Sequence, residues 1–252
     1  MPSHLQPPVS SLLDEPSILV AIATYNEIEN LPSLIEAIHG ELPTADVLVV
    51  DDNSPDGTGR WCDECAASAP WFSCLHREGK QGLGSALAEA MRRAIEQQYQ
   101  LLLTLDADWS HPPNCLPQLV AAAETAEVVV GSRYCPGGQV VGWPWYRRVA
   151  SRANNWFTRR LVGLPTSDSS GNLRAYDVRQ LGQLDWDRLQ VAGYSFLEEI
   201  FWHLDRSNAR FVEVPITFTN RQAGASKIGL REVGSKLATL SRLAWRRCFL
   251  RA

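Results

Sequence analysis

Asp106 and Asp108 stand two residues apart, directly after an apolar run at residues 101–105. Carboxylates so spaced at a strand end can share a hard divalent cation, which in turn holds a diphosphate. The plain alternative is a solvated turn. A second acidic strand end, Asp51-Asp52, in what reads as the same sheet favours the metal. The stretch at residues 51–58, DDNSPDGT, offers Asp and Asn acceptors for a base N–H or ribose hydroxyls, and Pro55 and Gly57 set a turn. Asp56 or Thr58 can equally cap the helix that follows, and the two readings are compatible. Lys80-Gln81-Gly82-Leu83-Gly84-Ser85 precedes a helical pattern, so Lys80 and the loop amides can meet a phosphate. It lacks the spacing of a P-loop or dinucleotide fingerprint, which argues against an ATPase or a dehydrogenase. Arg133, Arg147, Arg148, Arg152, Arg174, Arg221 and Lys227 lie in segments poor in acid. Scattered arginines are ordinarily surface charge, and those after strand ends or glycine-rich turns are the candidates for a phosphate-bearing acceptor.

These groups need a frame that brings strand ends together. Apolar runs at residues 18–23, 47–50, 101–105 and 128–130 each end abruptly in polar residues. Between them, Leu31, Leu34, Ile35 and Ile38, and then Leu83, Leu87, Ala90 and Ala94, recur at helical spacing. Continuous apolar strands alternating with amphipathic helices predict an α/β fold with a mainly parallel sheet covered on both faces. Ligands bind such sheets at the carboxyl ends of the strands, where the polar residues fall. The second half is less regular, with a helical stretch near residues 145–161, a polar segment at 166–172 and a short strand at 211–214. A final amphipathic helix is expected over about Leu230–Phe249. It places Leu230, Val233, Leu237, Leu240 and Ala244 on one face, so that it either closes the core or lies on an anionic membrane. Trp143, Trp145 and Trp156 either face lipid or pack the core, and core packing is the expectation.

With 252 residues and 21% charged residues the chain has the size and composition of one globular α/β domain. Residues 1–16 read as a flexible leader, 17–235 as the domain, and 236–252 as a basic amphipathic C-terminal helix. Net charge is -4, which argues against a nucleic-acid coat. Residues 221–252 hold eight Lys/Arg against Glu232 alone, a net of +7, leaving -11 on the rest. A basic end on an acidic chain suggests an anionic partner there, phosphate groups or a lipid surface. No apolar stretch approaches the ~18–20 residues of a membrane span, and the start lacks a signal-peptide pattern. The expected location is the cytoplasm, peripherally at the cytoplasmic face of a membrane. Cys62, Cys65, Cys74 and His76 have the composition of a zinc site. Two of them fall on a helix and two at what reads as the opening of a strand, so buried thiols are the expectation.

In order, TYNE at residues 24–27, DDNSPDGT, KQGLGSA, DADWSHPP, GSRY, GGQVVGW with Arg147 and Ser151, SDSSGNLRAY, GYSFLEE, VEVPITF and NRQAGASKIG resemble the polyprenol-phosphate (dolichyl-phosphate) mannosyltransferases of glycosyltransferase family 2. The series spans about residues 17–235; DAD alone is shared across family 2, and the second-half set is more selective. The resemblance implies a GT-A fold with a Rossmann-like nucleotide-binding half. It implies inverting transfer of mannose from GDP-mannose to a polyprenyl phosphate. By position, Thr24, Tyr25, Glu27, Asp52, Lys80, Gly82 and Asp106 would serve the nucleotide, and Asp106 and Asp108 the Mg²⁺ or Mn²⁺. Arg133, Arg147, Ser151, Arg221 and Lys227 would hold acceptor and donor phosphates, placing Asp106, Asp108, Arg133 and Arg147 at the centre of catalysis. Where some relatives place a Gln ligand, this chain has the weaker Ser110. It also has no C-terminal transmembrane pair, so membrane contact falls to its own basic helix or to a membrane-anchoring partner protein.

Three rivals remain. A family 2 enzyme using UDP-glucose or a UDP-hexosamine would carry the same strand-end motifs. A nucleotidyltransferase would have a glycine-rich basic loop after the first strand, where this chain has TYNE. A silent nucleotide-sugar-binding module would have no reason to keep both Asp106 and Asp108.

Overall fold

The computed structural model describes residues 16–190, 195–220 and 230–249. The leader, Arg221 and Lys227 lie outside the described residues. Its frame is a seven-stranded sheet in the order β3-β2-β1-β4-β7-β5-β8. Strands β1 (Ile18–Thr24), β2 (Asp46–Asp51), β3 (Phe72–His76) and β4 (Leu101–Asp106) pair in parallel, as do β5 (Val128–Ser132) and β8 (Phe211–Pro215). Only β7 (Arg174–Asp177) runs antiparallel, wedged between β4 and β5. The mainly parallel sheet of a GT-A fold is therefore present.

Strand alternation builds two cores. Leu19 and Ala21 of β1 face one side, against α3 (Leu83–Glu96), α6 (Val178–Gly182), α7 (Phe196–Arg206) and α8 (Leu230–Phe249). Ile18, Val20 and Ile22 face the other, against α1 (Leu31–Glu41) and α4 (Leu116–Ala123). In α1 the stripe Leu31, Leu34, Ile35 and Ile38 is fully buried, each side chain contributing ~1.5–3 kcal/mol. In α3 the alanines 86, 88, 90 and 94 let the helix settle close to the sheet.

The structure departs from the sequence expectations at three places. Strand β7 was hidden because its four residues, RAYD, begin with a charge. Arg174 is nevertheless fully buried and is neither surface charge nor a phosphate ligand. Its Nε donates to Gly171 O (2.8 Å) and its Nη1 to Leu197 O (2.9 Å), while the guanidinium lies 3.7 Å over the Phe201 ring. Cys74 lies at the middle of β3 and His76 at its end, rather than at its opening. His76 Nε2 meets Asp63 Oδ1 of α2 (Thr58–Ser68) at 2.7 Å, and a hydrogen bond with Cys74, together with burial, pushes the Cys62 thiol up. Trp143 is buried as expected, but Trp145 and Trp156 are exposed. Of the two roles expected for the last helix, core closure has contacts in the structure: α8 packs Leu240 and Leu243 into the core, and its Arg242 pairs with the buried Glu199 at 3.0 Å. No described helix is long and apolar enough to cross a membrane.

Candidate active site

The polar residues gather at the carboxyl ends of β1, β2, β4 and β5. Each of the first three strand ends turns through a left-handed residue: Asn26, Asn53 and Trp109, with φ of 59°, 57° and 61°. Asn tolerates that conformation; Trp does not do so readily, so strain is held one residue past Asp108. Asp106 closes β4, and its backbone N–H donates to Nδ1 of the buried His111 (3.2 Å). Accepting at Nδ1 requires a neutral imidazole with its proton on Nε2. Burial likewise holds His111 below its ordinary value, against the pull of Asp106. Asn172 Nδ2 donates to Asp106 Oδ1 (3.0 Å), and Ser110 N–H donates to Asp108 Oδ1 (3.1 Å). Asp106 is thus oriented by two flanking groups while a third of its side chain stays exposed. Two hard carboxylates held this way fit Mg²⁺ or Mn²⁺, with the remaining ligands coming from diphosphate and water.

On the β2 side, Asp51 and Asp52 serve the chain. Thr24 Oγ1 donates to Asp51 Oδ1 (3.0 Å), tying β1 to β2. Asp52 Oδ2 accepts from the amides of Gln81 (3.1 Å) and Gly82 (3.0 Å). Its Oδ1 lies 2.9 Å from Arg77 Nε, a charge contact in which the N–H is not aligned for a hydrogen bond. The buried carboxylate thereby fixes the loop before α3, where Gly82 adopts φ 93° and ψ 163°, a conformation open only to glycine. Lys80 Nζ stands 4.7 Å over the Tyr25 ring, and Glu27 accepts from Asn30 Nδ2 (3.0 Å).

On the β5 side, Arg133 is clamped. Its Nε and Nη2 donate to Asp168 Oδ2 and Oδ1, both at 2.7 Å, its backbone N–H to Oδ2 (3.0 Å), and Nη2 also to Ser170 Oγ (2.8 Å). Tyr134, Trp143 and Phe218 box the guanidinium at 5.2–5.5 Å. Burial pushes the Asp168 carboxyl up, but Arg133 outweighs it and holds it below the ordinary carboxylate range. Glu213 of β8 completes the layer, accepting from Ser167 Oγ (2.7 Å) and Asp168 N (3.2 Å).

The next layer is α5 (Trp145–Phe157). Arg147 stacks on Trp143 at 3.9 Å and reaches Asn220 Oδ1 (3.3 Å), while Tyr134 OH donates to Ser151 Oγ (2.7 Å). Trp143 meets Phe218, which meets His111, so α5 connects through aromatic rings to the Asp106 turn. Strand β9 (Thr217–Thr219), paired with β6 (Gln139–Val141), is pinned to the same turn by Thr219 N–H donating to Ser110 O (3.2 Å). The structure therefore gathers Thr24, Tyr25, Lys80, Asp106, Asp108, Arg133, Arg147 and Ser151 along one edge. Sequence reasoning did not single out Arg77, His111, Asp168 or Asn172; the density of polar residues in SDSSGN was the signal for the last two.

A family model for glycosyl transferase family 2 matches residues 19–183. The chain belongs to glycosyl transferase family 2. It is 42% identical over 225 residues to an undecaprenyl-phosphate mannosyltransferase of Micrococcus luteus, covering 89% of this chain and 93% of that one. It is 40% identical to a polyprenol monophosphomannose synthase of Mycolicibacterium smegmatis, covering 87% and 85%. Among solved structures it is similar to glucosyl-3-phosphoglycerate synthase of Mycobacterium tuberculosis with Mn²⁺, UDP and phosphoglyceric acid (TM-score 0.64, 19% identity, 93% and 79% covered). It is also similar to the mannosyltransferase PcManGT of Pyrobaculum calidifontis with GDP-Man and Mn²⁺ (TM-score 0.57, 17% identity, 94% and 65% covered). This family 2 chain is a glycosyltransferase, akin to the polyprenol-phosphate mannosyltransferases.

Proposed function

We propose that this glycosyltransferase moves mannose from GDP-mannose to a polyprenyl phosphate with inversion at the anomeric carbon. The observation that carries the reading is the meeting, along one sheet edge, of the Asp106/Asp108 pair with the polar inner face of α5. One is suited to a leaving diphosphate and the other to an incoming phosphate. Both curated relatives quoted above are named for mannose and a polyprenol phosphate, which supports the acceptor and the sugar.

The acceptor phosphate is anionic at neutral pH, so its oxygen attacks the anomeric carbon without a strong general base. The C–O bond to the diphosphate breaks, and GDP carries away the electron pair. The task of the chain is to hold two anions close and to stabilise the leaving one. Asp106 and Asp108 would hold Mg²⁺ or Mn²⁺, which when bound neutralises diphosphate charge. Asn172 and His111 keep Asp106 aimed. Thr24, Tyr25, Glu27, Asp52, Lys80 and Gly82 form the nucleotide side, Asp52 by setting the loop amides and Lys80 by its charge. Arg147 and Ser151 meet the acceptor phosphate. Arg133, with Nε and Nη2 taken by Asp168 and Ser170, contributes through Nη1 and by building the wall. Arg221 and Lys227 are assigned the same phosphates by resemblance alone.

The test is transfer of labelled mannose from GDP-mannose to a polyprenyl phosphate, with and without Mg²⁺ or Mn²⁺, and with UDP-glucose and a UDP-hexosamine run alongside. Metal-dependent labelling from GDP-mannose alone is expected. Labelling only from a UDP-sugar would move the donor, and transfer from no donor by folded protein would return the chain to a binding role. Asp106→Ala and Asp108→Ala should abolish transfer while leaving the folded far-UV spectrum intact; near-normal activity in either would remove the metal assignment.

A further inference from the structure

The loop at residues 166–172 serves both halves of the site. Towards one end Asp168 accepts three hydrogen bonds from Arg133. At the other, Asn172 Nδ2 donates to Asp106 Oδ1 (3.0 Å), and Asn172 O accepts from the buried Thr104 Oγ1 of β4 (2.6 Å). Ser169 lies between them and is fully buried. Its backbone N–H and its Oγ–H both donate to one atom, Asn155 Oδ1, at 3.0 and 3.1 Å. Thr158 Oγ1 meets Ser169 Oγ at 2.8 Å. Asn155 is the buried side chain of α5, and Thr158 opens the π-helical turn, Thr158–Val162, in which that helix ends. Such turns are rare and concentrate at functional sites.

Arg147, Ser151 and Asn155 are spaced four apart, so each stands only about 40° round the helix from the last and all three share one face. The first two are half-buried and meet the acceptor phosphate; the third carries the same polar stripe down into the loop. Asn155 uses its oxygen in this joint and leaves its nitrogen bare: Nδ2 is buried with no hydrogen-bond partner among the described residues. A bare buried amide donor costs stability, and an apolar side chain of similar shape would carry no such donor. A residue serving packing alone has no use for the amide, whereas one that must aim an oxygen at both donors of Ser169 does.

We propose that Asn155 is a positioning residue for the transfer: through Ser169 and Asn172 it holds the helix bearing Arg147 and Ser151 in register with the carboxylate of Asp106. Its side chain is buried, so it acts through these neighbours and not by touching a substrate. The substrates of the two halves rest on the mannosyl-transfer reading; the joint between them does not. Keeping an attacking oxygen in line with a leaving group governs turnover more than either binding step, and a misplacement of about 1 Å can lower the rate about a hundredfold.

The test pairs steady-state kinetics of the full chain, with the nucleotide sugar that wild type uses, with amide hydrogen exchange. Asn155→Ala should lower kcat roughly 10- to 100-fold, with KM for donor and acceptor within about threefold of wild type. Asn155→Asp keeps an oxygen facing Ser169 and should stay within about fivefold of the wild-type kcat. A packing role would cost stability in both variants and kcat in neither. In the exchange arm, a nucleoside diphosphate with Mn²⁺ should slow exchange at residues 147–158 in wild type but not in Asn155→Ala, while binding both with like affinity. Unchanged kcat in Asn155→Ala, an equal loss in Asn155→Asp, or a loss confined to KM would each overturn the proposal. So would protection of α5 that is absent from wild type or survives Asn155→Ala. If circular dichroism shows that Asn155→Ala does not fold, Ser169→Ala and Thr158→Val carry the test. Each removes one link and should lower kcat about three- to tenfold at unchanged KM, and full activity in both would overturn the proposal. Absence of transfer by wild type from any donor would strike the mannosyl-transfer reading instead, and the exchange arm would still decide the joint.

Discussion

Removing the carboxylate of Asp168 should do more damage than removing any single apolar side chain near the site. Asp168 is fully buried and Arg133 nearly so, and the pair shares a backbone and two side-chain hydrogen bonds to one carboxylate. In Asp168→Ala the guanidinium stays inside a box of Tyr134, Trp143 and Phe218 and keeps only its hydrogen bond to Ser170. An uncompensated buried charge of this kind costs ~3–5 kcal/mol, a large part of the ~5–15 kcal/mol that holds a domain together. Urea unfolding followed by tryptophan fluorescence measures it as a drop in midpoint at unchanged slope. The double variant Arg133→Met/Asp168→Leu removes both charges and should regain most of that stability, because well-packed apolar replacements of a buried pair are commonly neutral or better. Transfer activity should not return with it, since the wall beside Arg147 has lost its charge. A loss under ~1 kcal/mol in Asp168→Ala, or a double variant no more stable than the single, would refute the reasoning.

The same pair predicts an acid limb. Its carboxyl pKa is depressed in the folded state, so its stabilisation is complete above the unfolded value of about 3.9 and is lost as pH falls through the folded one. Urea midpoints should therefore drop below about pH 4, with a smaller drop in Arg133→Met/Asp168→Leu. Gly138→Ala should destabilise by ~1–3 kcal/mol in the same assay, because a Cβ there would sit 2.5 Å from Ser132 O and 2.7 Å from Arg133 C, both backbone atoms. Arg147→Ala should lower kcat/KM for the acceptor by roughly 10- to 100-fold, the loss of one charged hydrogen bond, with nucleotide affinity unchanged; unaltered acceptor kinetics would exclude that role.

The frame was legible in the order of residues alone. Apolar runs of period-free strands between helical stripes dictated a parallel sheet with both faces covered, and acidic and glycine-rich strand ends marked its working edge. Such features are local: four to eight consecutive residues carry each one. Tertiary structure alone decided how the polar residues divide into those that face a ligand and those that build the protein. Arg174 and Arg133 look alike in sequence, yet one is a core strut and the other one half of a buried ion pair, because their partners lie on segments brought in by the antiparallel β7. Asp52 faces Arg77 and two loop amides through contacts 25 to 30 residues distant in the chain. Helix α5 shows the reverse case. Its periodicity was legible, but which side of it faces the protein was not, since an apolar stripe is the usual inward face. Only the placement of Tyr134, Trp143 and Asn220 against its polar side turned the tryptophans outward.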